Sequence, residues 1–136
     1  MMHMPGILIA DEDVLTRKRM ADLFIKAGYQ VTVTNSAAGV LYGILKKTAQ
    51  VVLLSTRFDE LLATELIPIL KKCNSNLTII LVASELPLAL IRKARSEGIF
   101  YHALKPDKPS DEDELREAVK CAFEKVTHNT TSEWLQ

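Results

Sequence analysis

The chain has 136 residues, 48% hydrophobic and 25% charged, with 17 Lys and Arg against 17 Asp and Glu. That length suits one domain with a real core, and zero net charge removes the blanket attraction that nucleic acid or an anionic membrane would need. Neither is therefore expected as a partner.

Apolar runs such as residues 77–83 fall far short of the ~20 residues of a bilayer span. Residues 1–6 lack the basic-then-apolar pattern of a secretion signal. Cys73 and Cys121 match neither a disulfide framework nor a metal motif. The expectation is a cytoplasmic protein with both thiols buried.

Residues 7–10 form a continuous apolar run, as in a strand covered on both faces. After Asp11-Glu12-Asp13, residues 14–27 carry Val14, Met20, Leu23, Phe24 and Ala27 on one helical stripe, and Gly28 is a natural stop. Residues 30–34 alternate Val and Thr, which suits a less buried strand near a sheet edge. Asn35 or Ser36 caps a second helix with the stripe Ala37, Val40, Leu41, Ile44 and Leu45.

The theme then repeats. Residues 51–54 are a buried strand, and 61–73 are apolar at helical spacing. Pro68 implies that this third helix starts late or is kinked. Residues 77–83 form the most strand-like run of all. A helix from Pro87 to Gly98 follows, then a fifth strand over 100–104. Ser110 to Glu114 offers overlapping capping boxes for a last helix with the stripe Leu115, Ala118, Val119, Ala122 and Val126. The domain is placed at residues 1–126, and 127–136 are expected to be a polar tail or linker stub.

Five strand-helix units with short connections imply an α/β fold, a doubly wound parallel sheet between two helical layers. In such sheets chemistry gathers beyond the carboxyl ends of the strands. The residues expected there are Asp11, Glu12 and Asp13, then Ser55, then Ala83 and Ser84, and finally Lys105-Pro106. Carboxylates facing one lysine across such a mouth suit a divalent cation and a phosphoryl group.

Ile7 to Asp13, Val51 to Leu54, and Gly98 through Lys105-Pro106 together resemble the receiver domain of two-component response regulators, in register over about residues 6–126. The resemblance implies a five-stranded flavodoxin-like fold. It also implies that an aspartate ending the third strand takes a phosphoryl group from a histidine kinase. Asp11 and Glu12 would be the Mg²⁺-holding acids, Lys105 the phosphoryl-pairing lysine, and Pro106 a cis proline. Tyr101 and His102 fall at the aromatic switch position.

Several residues depart from that pattern. Ser55 stands at the acceptor position, and a serine hydroxyl is a poor nucleophile without a base. Ala83 stands where a Thr or Ser would contact the phosphoryl group, and Ser84 should face the other way. The loop 57–63 lacks the usual turn residues. The expectation is therefore a pseudo-receiver, not an enzyme, with no cofactor beyond weak Mg²⁺ at Asp11 and Glu12. Lys105 should lean on one of these two acids. Arg17-Lys18-Arg19 is expected to be a solvated helix face.

The expected working surface is the face of the fourth helix, fifth strand and fifth helix, carrying Arg92, Arg95, Glu114, Glu117 and Lys120. Its partners would be a sensor kinase, an effector domain or a second copy of the chain. One alternative is a working receiver phosphorylated at Asp59 or Glu60. A more distant one is a small-ligand-binding flavodoxin-like domain, for which no glycine-rich phosphate loop is present.

Overall fold

The computed structural model describes the backbone of residues 5–58 and 61–135, and the side chains of residues 5–56 and 61–127. The first half contains β1 (Gly6–Ala10), α1 (Val14–Lys26), β2 (Gln30–Thr34), α2 (Ala37–Leu45) and β3 (Val51–Ser55). Then come β4 (Arg57–Phe58), β5 (Leu61–Leu62) and α3 (Ala63–Cys73). The chain continues through β6 (Thr78–Val82), α4 (Leu88–Ser96), β7 (Tyr101–Ala103) and α5 (Pro109–Leu135).

The main sheet has the order β2-β1-β3-β6-β7, with every pairing parallel. The Val/Thr strand β2 lies at the edge, as its alternation implies. β4 and β5 form a small antiparallel pair outside that sheet, a feature the sequence pattern does not announce.

Alternation along the fully buried strands sorts side chains between two cores. Ile7, Ile9, Val51, Leu53, Ile80 and Val82 pack with Met20, Phe24, Leu115 and Val119, beneath α1 and α5. Leu8, Val52, Leu54, Ile79 and Leu81 pack with Val40, Ile44, Leu66, Ile67 and Leu70, on the side of α2, α3 and α4. Each buried aliphatic side chain contributes about 1.5–3 kcal/mol, so the two layers carry the fold.

That burial also explains α3. It starts at Ala63, well before Pro68, which lies inside the helix on its exposed face. A proline inside a helix costs about 3 kcal/mol, less than the burial of Leu66, Ile67 and Leu70 together returns. The Ala63 N–H, otherwise orphaned at the helix start, donates to the Thr56 carbonyl at 2.8 Å.

Other expectations need correction. Val14 and Leu45 are 62% and 70% exposed, because both fall in terminal turns with cover on one side only. Ala27, the C-cap of α1, is likewise exposed. Cys73 and Cys121 are exposed, lying on the outer faces of their helices. The peptide preceding Pro106 is trans. The start of α5 is Pro109 rather than the Ser110 cap: Asp111 reaches back to accept from the Lys108 N–H at 3.2 Å, half of a capping box. Backbone residues 127–135 continue α5 instead of forming an irregular tail, so the helix spans roughly 40 Å.

Helix ends show where backbone freedom matters. Gly28 and Gly98 follow α1 and α4 with φ of 93° and 105°, the left-handed region that glycine enters freely. Lys47 follows α2 with φ of 59°, at a cost of about 1–2 kcal/mol for a residue with a Cβ.

Candidate functional site

The sheet order reverses direction between β1 and β3, so their carboxyl ends border the crevice where such folds bind ligands. Ala10 pairs with Leu54, Ser55 with Val82, and Val82 with Ala103. That register brings Asp11, Ser55, Ala83 and the Lys105 segment to one mouth. The Lys105 N–H donates to the Ala83 carbonyl at 3.3 Å and closes its rim.

Asp11 and Ser55 are 2% and 3% exposed. Asp11 Oδ1 accepts from the Asp13 N–H at 2.9 Å. Its Oδ2 is buried without a hydrogen-bond donor and faces Lys105 Nζ at 3.9 Å. Burial pushes the Asp11 carboxyl above its usual value, against the lowering effect of the Asp13 amide and the Lys105 charge.

Glu12 is exposed, so the lysine leans on Asp11, at the outer limit of an ion pair. Asp13 caps α1 by accepting from the Thr16 N–H and hydroxyl, which holds its carboxyl below the usual value. Among the described residues, no group of three His, Cys, Asp or Glu side chains could hold a metal ion. Asp59 and Glu60 lie outside the described residues.

The basic run on α1 is not simply solvated. Arg17 Nη1 donates to the Asp11 carbonyl at 2.8 Å and so ties α1 to the acidic loop. Arg19 pairs with Glu112 at 3.3 Å and donates to the Asp107 carbonyl at 3.2 Å, bridging to the start of α5. No motif in the sequence signals these roles; they depend on where α1 and α5 sit together against one face of the sheet.

The Tyr101 hydroxyl donates to Glu114 Oε1 at 3.4 Å, and both line a groove of about 360 Å³ with Phe100, Glu117, Ala118 and Cys121. His102 is half-buried, and its Nε2 has no hydrogen-bond partner. Burial, with the charge of Arg95, holds its imidazole below the usual histidine value. Arg92 and Arg95 are exposed on α4. Lys120 lines the hollow between α1 and α5 with Ala27 and Tyr29, so it does not join the α4 side.

The sequence pattern described as the response regulator receiver domain matches residues 7–120. The chain belongs to that family. Sporulation initiation phosphotransferase F of Bacillus subtilis is 28% identical over 114 residues, covering 84% of this chain and 90% of the relative. The DNA-binding transcriptional regulator NtrC of Rhizobium meliloti is 26% identical over 100 residues, covering 74% of this chain but 21% of that protein.

Among solved structures, a signal receiver domain of an HD domain-containing protein from Pseudomonas fluorescens superposes with a TM-score of 0.85 at 22% identity, covering 96% of this chain and 95% of that one. A CheY-like receiver domain from Methanospirillum hungatei gives 0.81 at 20% identity, covering 93% and 99%. These two likenesses concern the fold, which is thus the receiver's α/β sheet flanked by helices. No helix of the described residues is long and apolar enough to cross a membrane.

Proposed function

We propose that this receiver domain of two-component signalling is an interaction module that works without aspartyl phosphorylation and catalyses no reaction of its own. One observation carries the reading. The residue ending β3, at the sheet's reversal, is the buried Ser55. A neutral hydroxyl there offers neither the nucleophile nor the metal ligand that a carboxylate would.

The surroundings support the same conclusion. Ala83, just beyond the end of β6, has no hydroxyl to follow a phosphoryl oxygen. Among the described residues Asp11 is the one buried carboxylate at the mouth, and Glu12 is exposed. With Lys105 already facing Asp11 Oδ2, this donor set does not fit a tight Mg²⁺ site, and no step is assigned to a metal.

The working surface is the α4-β7-α5 face, where Tyr101, Glu114 and Glu117 line an apolar groove and α4 adds the exposed Arg92 and Arg95. It suits a protein partner, either an effector or kinase domain or a second copy joined by reciprocal ion pairs. The test is an NMR titration of ¹⁵N-labelled protein with beryllofluoride and Mg²⁺. Unchanged amide shifts at residues 11, 55, 83 and 105 support the reading; saturable shifts there overturn it.

A further inference from the structure

The crossover helices of a parallel sheet run antiparallel to its strands, so the last turns of α1, α2, α3 and α4 meet at the edge opposite the pocket. Lys26, Lys46, Lys47, Lys71 and Lys72 occupy those helix ends. Lys125 of α5 joins them, close enough for its charge to act on Lys71. Against these lysines the same end offers Glu97 and Glu124. A chain of zero net charge therefore has a basic pole.

The ion pairs among the described residues lie elsewhere, at Arg19–Glu112, Lys105–Asp11 and Arg116 with Glu112 and Asp113. The polar lysines are not neutralised. Lys71 donates to the Ser75 and Leu77 carbonyls, while Lys46 and Lys125 sit over the Tyr42 and Phe100 rings. Lys26, Lys47 and Lys72 are exposed and form no ion pair among the described residues, Lys26 sharing a hollow with Asp22 and Glu112.

Cations in a last helical turn complement the helix dipole, but that does not account for the whole cluster. Lys47 lies beyond the cap of α2, in a left-handed conformation that favours glycine. Lys71 is half-buried, and that burial, with the charge of Lys125 adding to it, holds its ammonium below the usual lysine value. Ile25 and Leu45, 58% and 70% exposed, stand beside Lys26 and Lys46.

We infer that this basic end is a second docking surface, and that its partner is an acidic protein segment carrying apolar side chains. The lysines provide the charge complement, and Ile25 and Leu45 provide apolar contact on two separate helix ends. A membrane surface would call for one continuous apolar helix face. Single-stranded nucleic acid would call for successive stacking platforms; at these helix ends Tyr42 is 60% exposed but carries Lys46 over its ring. The inference stands apart from the pocket, because none of these residues borders Ser55 or Asp11.

The test uses the whole chain and a fluorescein-labelled peptide rich in glutamate with interspersed leucine, read by anisotropy and by ¹⁵N shift mapping. Saturable binding with shifts confined to the lysine-bearing helix ends is expected. Lys72→Gln combined with Lys47→Gly should weaken it about tenfold at low salt. Lys47→Gly alone should raise Tm, since glycine relieves the backbone, while lowering affinity. A purely structural lysine would give no loss of affinity. Equal binding by the double variant, shifts at the pocket instead, or tighter binding of phosphatidylserine vesicles or oligo-dT would each overturn the inference.

Discussion

Lys105 Nζ stops 3.9 Å from Asp11 Oδ2, outside hydrogen-bonding reach, and leaves that buried oxygen without a donor. A buried charge held this loosely costs more in desolvation than its partner returns. The pocket therefore contains an electrostatic liability as well as an inherited shape.

Asp11→Asn should stabilise the protein by about 1 kcal/mol at pH 7, the scale of an imperfectly paired buried charge. The amide keeps an acceptor for the Asp13 N–H. The folded carboxyl titrates above its ordinary 3.8, so folding favours its neutral form. That contribution is fully present below pH 3.8 and is lost as pH rises through the folded value. Thermal melts of both proteins should converge at acid pH and separate toward neutrality.

Ser55→Asp alone should not restore efficient labelling by acetyl phosphate, because Ala83 still offers no hydroxyl to the phosphoryl group. Adding Ala83→Thr should increase the labelled fraction. Near-complete labelling of the single variant would count against the role given to Ala83.

Below about neutral pH, His102 should erode stability. Burial and Arg95 hold its imidazole under the ordinary 6.5, so the unfolded chain takes up the proton first. The neutral form's contribution is present above pH 6.5 and is lost as pH falls through the folded value. Unfolding free energies from denaturant titrations between pH 7.5 and 5 should fall less steeply for His102→Gln than for the parent.

Arg17→Ala should cost about 1–2 kcal/mol, the worth of a charge-assisted hydrogen bond, because the Asp11 carbonyl loses its donor. Faster hydrogen exchange of the Asp13 amide than of amides in β6 is the local signature to measure. Uniform acceleration throughout the sheet would instead mark a global effect.

Much of this structure can be read from local pattern. β1, β3 and β6 are nearly continuous apolar runs, β2 is an alternating one and β7 a short mixed one, and the helices between them carry apolar stripes. The mouth residues follow from the strand ends alone. Features set by tertiary partners are another matter. Pro68 signals a late helix start, which the burial of Leu66, Ile67 and Leu70 overrides.

Cys73 and Cys121 fall on outward helical faces, a choice that a shift of one or two residues in helical phase decides. Residues 127–135 continue the α5 backbone, although their polar, aperiodic sequence offers no helical stripe to read. Arg17 acts through a backbone carbonyl, and backbone acceptors leave no mark in a side-chain motif.

The central claim concerns Ser55, and intact mass after incubation with acetyl phosphate and Mg²⁺ tests it most directly. The expected spectrum is that of the unmodified chain, beside a receiver with an acceptor aspartate that labels under the same conditions. A stoichiometric phosphate adduct on this protein would contradict the account.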